Sequence, residues 1–141
     1  MILYRPTGLG ELRLVAQSGW RAWPPRLPHQ PIFYPVLSLE YARRIARDWN
    51  APDDFSGNVG FVTKFEIDAA YAQKYPVQVA GGTAHEELWV PADELEDFNR
   101  HIVGRIQVIE AYPGEKYKGD IDPRTHLPVG FEAATSGPGD G

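Results

Sequence analysis

Cysteine is absent from the 141-residue chain, so disulfides and thiol chemistry are excluded at the outset. A basic excess is missing too: 14 lysines and arginines face 19 aspartates and glutamates, a formal net charge of −5. A protein that depends on phosphate contacts normally carries a basic face. Generic nucleic-acid binding is therefore disfavoured, while a specific nucleotide site is not. The densest basic stretch, Arg43, Arg44 and Arg47, reads as the solvated side of a helix. No apolar run approaches the length needed to span a bilayer. The opening "MILYRPTG" lacks the charged-then-apolar layout of a signal peptide. The expectation is a cytoplasmic protein with no membrane partner.

Turn formers are plentiful instead. Thirteen prolines and 14 glycines leave little room for long helices. Apolar residues at 43% and charged residues at 23% are typical of a soluble globular protein, and the length fits one ordinary domain. Four tryptophans, seven tyrosines and six phenylalanines give ample material for a compact core or a pocket.

Periodicity sets out the elements. Residues 1–5 read as a strand ending at Pro6, with Thr7 capping a helix whose Leu9, Leu12, Val15 and Ala16 share a face. Gly19 supplies its left-handed stop. "WRAWPPRLPHQP" is a proline-punctuated loop, with room for a brief strand at 20–23, and "IFYPV" is a second strand. Ser38 caps a helix with Leu39, Ala42, Ile45, Ala46 and Trp49 inward, ended by Asn50 and the "APDDFSGN" loop. In the next strand Val59, Phe61, Thr63, Phe65 and Ile67 share a face. Asp68 starts a short helix to about Tyr75, "PVQVA" is a strand, and "AHEELWV" is another after Gly81 and Gly82. Pro91 suits the first position of the helix "PADELEDFN", and "HIVGRIQVIEAY" is a last strand with Ile102, Ile106 and Val108 aligned. Residues 1–112 read as one mixed α+β domain, without the strict alternation of a doubly wound fold. Residues 113–141 read as a polar, Gly/Pro-rich tail that adds little to the core.

Candidate chemistry gathers in three places. "HEELWVP" begins like a zinc-protease helix, but H-E-x-x-H requires a second histidine where Trp89 stands, and Pro91 follows too closely for a helix interior. His29, His101 and His126 show no ligand spacing with His85, so no metal is expected. As a strand, the segment sends His85, Glu87 and Trp89 to one face, and Glu86, Leu88 and Val90 to the other. That first trio is either a site or simply a solvated strand face. In "YRP", Arg5 is placed to bind a phosphate or ribose, or to pair with a carboxylate. In "GWRAWPPR", Arg21, Trp23 and Arg26 suit a nucleotide, with rings for stacking and guanidiniums for phosphates; the other reading has the tryptophans anchoring a proline loop, preferred for Trp20. Tyr34 in "FYPV" either lines a cleft or is amphipathic core. No P-loop, G-x-G-x-x-G or G-x-S-x-G pattern occurs, and Gly81 and Gly82 make no phosphate cradle.

The stretches "LYRPTGLGELRLVAQSGWRAWPPRLPHQPIFYPVL", "GFVTKFEI" and "HEELWVPADELEDFNRHIVGRIQVIEAY" together resemble a family of small bacterial proteins labelled ADP-ribosylation/crystallin J1 related. The resemblance covers nearly all of residues 2–112 and implies an ADP-ribosyltransferase-like fold, with short strands in a split sheet and three or four short helices. It implies NAD as substrate, with no metal. Arg5 matches the strand-end arginine that holds ribose or phosphate. Tyr34 and Ser38 match the segment beside the nicotinamide pocket. Glu87 matches the late-strand carboxylate, with His85 orienting Glu87 or the acceptor. His85 stands where the family pattern usually has Glu or Gln, which speaks against arginine or asparagine acceptors. The Ser-Thr-Ser of such toxins is missing, and the second element is nearer to the tyrosine type. The expected function is transfer of ADP-ribose from NAD to an acceptor that the sequence does not identify, with nicotinamide released. The alternative is an inactive relative that binds a nucleotide-like ligand or acts as an interaction module.

Overall fold

In the computed structural model, residues 1–79 and 85–131 are described. Gly81, Gly82 and residues 132–141 of the expected tail lie outside them. The architecture is mixed α+β, with small antiparallel sheets and four short α-helices among the described residues. None of these helices is long and apolar enough to cross a membrane.

The main sheet has the order β1 (Ile2–Thr7), β3 (Val59–Ile67), β7 (Ile102–Pro113). The long alternating run of β3 makes it the central strand: Val59, Phe61, Thr63, Phe65 and Ile67 are all buried, and Val62 is buried on the opposite face. β1 continues through Pro6, where the sequence suggests an end. The reason lies in the neighbouring segment. Tyr4 exchanges both backbone hydrogen bonds with Val36, 2.8 Å each, and the chain carrying Val36 then turns away. A proline nitrogen two residues on faces an edge where no ladder donor is required.

Two further pairs complete the strand content. β2 (Ile32–Phe33) pairs with β6 (Val90–Pro91), and β4 (Val77–Val79) pairs with β5 (Glu86–Leu88). Val36 bridges Tyr4 on one side and Glu87 on the other. Ile32↔Pro91, Phe33↔Val90 and Val36↔Glu87 all share one register, so 32–37 and 86–91 form a single antiparallel ladder interrupted near Pro35. "IFYPV" is thus a strand broken in the middle, because Pro35 has no N–H to donate. Pro91 ends β6 instead of opening the helix; a 3-10 turn, Ala92–Glu94, leads into α4 (Leu95–Arg100).

α1 (Leu9–Gln17) buries Leu12, Val15 and Ala16. Its N-cap is Gly8 with no side-chain cap, whereas Thr7 ends β1 and donates its hydroxyl to the Gly8 carbonyl, 2.8 Å. No strand forms at 20–23: the Ser18 hydroxyl oxygen accepts from the N–H groups of Arg21 and Ala22, and Trp20 adopts a φ of 66°. α3 (Ala69–Ala72) is capped by Asp68, as its sequence suggests.

α2 (Leu39–Ile45) starts at Ser38, whose hydroxyl oxygen accepts from the Tyr41 N–H, 3.0 Å. It then widens into a π turn, Ala46–Asn50, closed by Ala51 N–H to the Ala46 carbonyl, 3.0 Å. Ala42 and Ala46 face inward as expected, but Trp49 is 71% exposed. One extra residue in the turn rotates everything after Ala46, so Trp49 swings out and Asn50 swings in.

Three apolar clusters sit on the sheet. One holds Leu3, Trp23, Phe33, Phe65, Leu88, Val90 and Phe98; a second joins Val36, Ala42, Ala46 and Val62. The third, around Leu12, Val59 and Phe61, extends past the boundary expected at 112. Tyr117, Ile121, Leu127 and Phe131 pack against it, and an Ile121↔Pro128 bridge shapes the segment. Residues 113–131 therefore belong to the folded unit.

Candidate functional site

Past the Tyr4–Val36 bridge, β1 and the 32–37 segment part, and a cleft of about 280 Å³ opens between them. Arg5 and Pro6 line one side, Tyr34, Val36 and Glu87 the other, with Ile45 and Asn50 also in its wall. The shared register makes Tyr34 and Trp89 cross-strand neighbours; their rings meet edge-on at 6.1 Å. Strand parity thus sends Glu87 to this face, while Leu88 and Val90 are wholly buried behind it.

Glu87 is 8% exposed, and both its oxygens accept hydrogen bonds from neutral donors. The Tyr41 hydroxyl donates to Oε2 at 2.6 Å, and the Trp89 indole N–H donates to Oε1 at 2.7 Å. Burial first, and then the hydrogen bond to Glu87, push the Tyr41 phenol up to about 12. Tyr41 is therefore a donor throughout the neutral range. His85 joins the site through the same tyrosine. Its ring stacks on that of Tyr41 at 4.5 Å, and its Nε2 lies 3.2 Å from Arg44 Nη1.

Arg5 is engaged differently. Its Nε and Nη2 donate to the two oxygens of Glu11 at 2.6 and 2.9 Å, and its guanidinium lies 4.7 Å from the Phe33 ring centre. Burial works against the Glu11 charge, but Arg5 and then Arg26 hold the carboxyl below its ordinary range. Arg26 stands 3.8 Å from Glu11 Oε1. These groups border a second, larger cleft of about 680 Å³, which shares Arg5, Pro6 and Asn50 with the first.

The structure brings Arg5, Tyr34 and Glu87 to one cleft, and Arg5 and Arg26 to the other. Trp23 does not face either: it is 2% exposed and packs between Phe33 and Phe65, with ring centres 5.5 and 5.3 Å away. Its indole is core, and the loop-anchoring alternative describes it. Arg21 is exposed and lines neither cleft. Ser38 lines neither, and its hydroxyl oxygen serves as the cap of α2. In the basic stretch, Arg43 is paired with Glu110 at 2.6 Å and Arg47 with Asp48 at 2.9 Å.

Three residues that line these clefts or hold a wall residue in place escape a reading of the sequence. Tyr41 lies 46 residues from Glu87, and nothing in the helical pattern links them. Glu11 reads as an ordinary first-turn acid of α1. Asn50 reads as a helix terminator, and only the π turn turns it inward. The chain matches no protein-family model, and no similar chain is found among curated proteins or solved structures, so a functional reading rests on this geometry.

Proposed function

We propose that the protein binds NAD and, as an ADP-ribosyltransferase-like enzyme, moves ADP-ribose to an acceptor. The observation that carries this reading is the convergence of Glu87, Arg5 and Tyr34 on one cleft. Cleavage of the nicotinamide–ribose bond sends the bonding electron pair out with nicotinamide and leaves an oxocarbenium-like ribose. The acceptor's nucleophile then forms the new bond at that carbon and gives up its proton. A carboxylate that accepts from the ribose 2′-hydroxyl stabilises the developing charge. Glu87 has room for that contact, because each oxygen holds one donor and a carboxylate offers about four acceptor positions. Tyr41 and Trp89 hold it in place, and Tyr34 offers a ring beside the nicotinamide. A cytoplasmic setting, where NAD is available, belongs to the same reading.

A second reading is favoured by one specific feature: Arg5 is already bidentate on Glu11. A guanidinium so engaged has less to offer a phosphate, which suits a relative that binds a nucleotide-like ligand without transfer chemistry. Calorimetric titration with NAD and measurement of nicotinamide release, on wild type and Glu87→Gln, separate the two. The transferase reading expects binding in both and a loss of release in the variant of on the order of a hundredfold or more. Binding without release in wild type selects the second reading, and no NAD binding in either protein overturns the first.

A further inference from the structure

Two side chains that line the larger cleft each carry a polar atom that the fold leaves without a partner. Asn50 Oδ1 and Arg26 Nε are buried and lack a hydrogen-bond partner among the described residues, and both side chains line this cleft. Leaving such groups unsatisfied is costly. Their chemistry is complementary: one is an acceptor awaiting a donor, the other a donor awaiting an acceptor.

The orientation of Asn50 follows from a chain of hydrogen bonds. The Ser56 hydroxyl donates its proton to Asp53 Oδ2 at 2.8 Å, so its oxygen can only accept from Asn50. Asn50 therefore presents Nδ2 to Ser56, 3.1 Å away, and keeps its carbonyl oxygen for something else. Asp53 also accepts from the Ser56 N–H at 3.1 Å, which fixes the turn. That turn is pressed against the start of α1: a Cβ on Gly8 would lie 2.7 Å from Ser56 Cα.

The charge balance points the same way. Two guanidiniums, Arg5 and Arg26, face the carboxylate of Glu11, which is engaged bidentately by Arg5 and lies 3.8 Å from Arg26. Among these three groups one positive charge is left over. Burial, and then the neighbouring Arg5, pull the Arg26 guanidinium below its ordinary range, so an added anion would relieve it. Pro24, Pro25, Leu14 and Leu27 give the wall an apolar part, Arg13, Gln17 and Gln30 add further polar groups, and Phe55 is 86% exposed at the cleft. An exposed aromatic face is a platform for a flat ring.

We propose that the larger cleft is a nucleoside-monophosphate site: the phosphate meets Arg26, a ribose hydroxyl donates to Asn50 Oδ1, and the base lies on Phe55. This chemistry is shared by a free mononucleotide and by the adenosine half of a dinucleotide. The site does not depend on transfer chemistry at Glu87.

Gly10 provides a clean probe. It lines the cleft, and a Cβ built on it meets nothing within 4 Å, so Gly10→Phe starts a bulky side chain from an open position on the helix surface at the cleft. Calorimetry with AMP, with adenosine and with inorganic phosphate, each on the full chain, tests the site. AMP should bind wild type more tightly than either fragment. Gly10→Phe should abolish that binding at unchanged thermal stability, and Asn50→Leu should weaken it about tenfold. If NAD displaces AMP, the adenosine half of the dinucleotide is the source; if NAD binds without displacing it, the site takes a free mononucleotide. Absence of AMP binding to wild type at millimolar concentration, or unchanged binding in folded Gly10→Phe, overturns the proposal.

Discussion

The Tyr41 hydroxyl donates to Glu87 across 2.6 Å, and burial together with that carboxylate raises the phenol from its ordinary 10.0 to about 12. A raised folded value means that the bond's contribution to stability is fully present below pH 10, and is lost as pH rises through about 12. Tyrosine-ring NMR, assigned with Tyr41→Phe, should therefore show a titration midpoint near 12. In Glu87→Gln it should fall towards the ordinary value without reaching it, since burial is the largest cause and stays in place. Superimposable titrations would show that the two side chains are not coupled. For the chemistry, the same pairing matters because a carboxylate held by neutral donors keeps its charge for a developing cation. A carboxylate committed to arginine, as Glu11 is to Arg5, has already spent it.

The π turn decides which side chains reach the clefts. It is wedged against the central strand, where Gly60 is the permissive residue. A Cβ there would lie 2.2 Å from the Ala46 carbonyl oxygen and 2.9 Å from Ala46 Cα. Gly60→Ala should cost about 1–3 kcal/mol by overpacking, read as a lower urea midpoint at unchanged slope. A neutral effect would mean that the turn yields easily and does not fix Asn50. This element also marks where the sequence stops being legible. Helical spacing identifies the inward Ala42 and Ala46, and period-two spacing identifies the buried face of β3 and the parity that turns Glu87 towards a cleft. The extra residue of a π turn breaks the first pattern, so Trp49 points out against expectation. Pro6 misleads for a related reason. A proline ends a strand only where its nitrogen would have had a partner, and partnership depends on a segment some thirty residues away. Arg5, Tyr34 and Glu87 carry local signals, a strand end, an aromatic and an alternating carboxylate. Tyr41 and Glu11 touch them through tertiary packing, for which no local pattern exists.

At the scale of the whole molecule, composition misjudges the segment after β7. Residues 113–131 are polar on average, yet Tyr117, Ile121, Leu127 and Phe131 pack against the cluster of Leu12, Val59 and Phe61. Phe131 lies 6.3 Å from Trp20, ring centre to ring centre. The segment is also tied to the site-bearing elements. The Gly114 N–H donates to the Asn58 carbonyl at 2.8 Å, and a Cβ on Gly114 would fall 2.1 Å from the Ala51 carbonyl oxygen, at the end of the π turn. Removing the segment should therefore act twice. A chain ending at Pro113 exposes the third cluster, at a cost on the order of 1–2 kcal/mol for each half-buried side chain, below the value for complete burial. Against a typical domain stability of about 5–15 kcal/mol, that is a large share. It also frees the far end of the π turn, and with it Asn50. Urea unfolding should show a clearly lower midpoint for the chain ending at Pro113 than for one ending at Phe131. AMP binding should weaken in the shorter chain, even under conditions where it remains folded. Equal midpoints would return the segment to the status of a tail. A lower midpoint with unchanged AMP affinity would instead confine its role to stability, and would separate the support of the core from the support of the cleft.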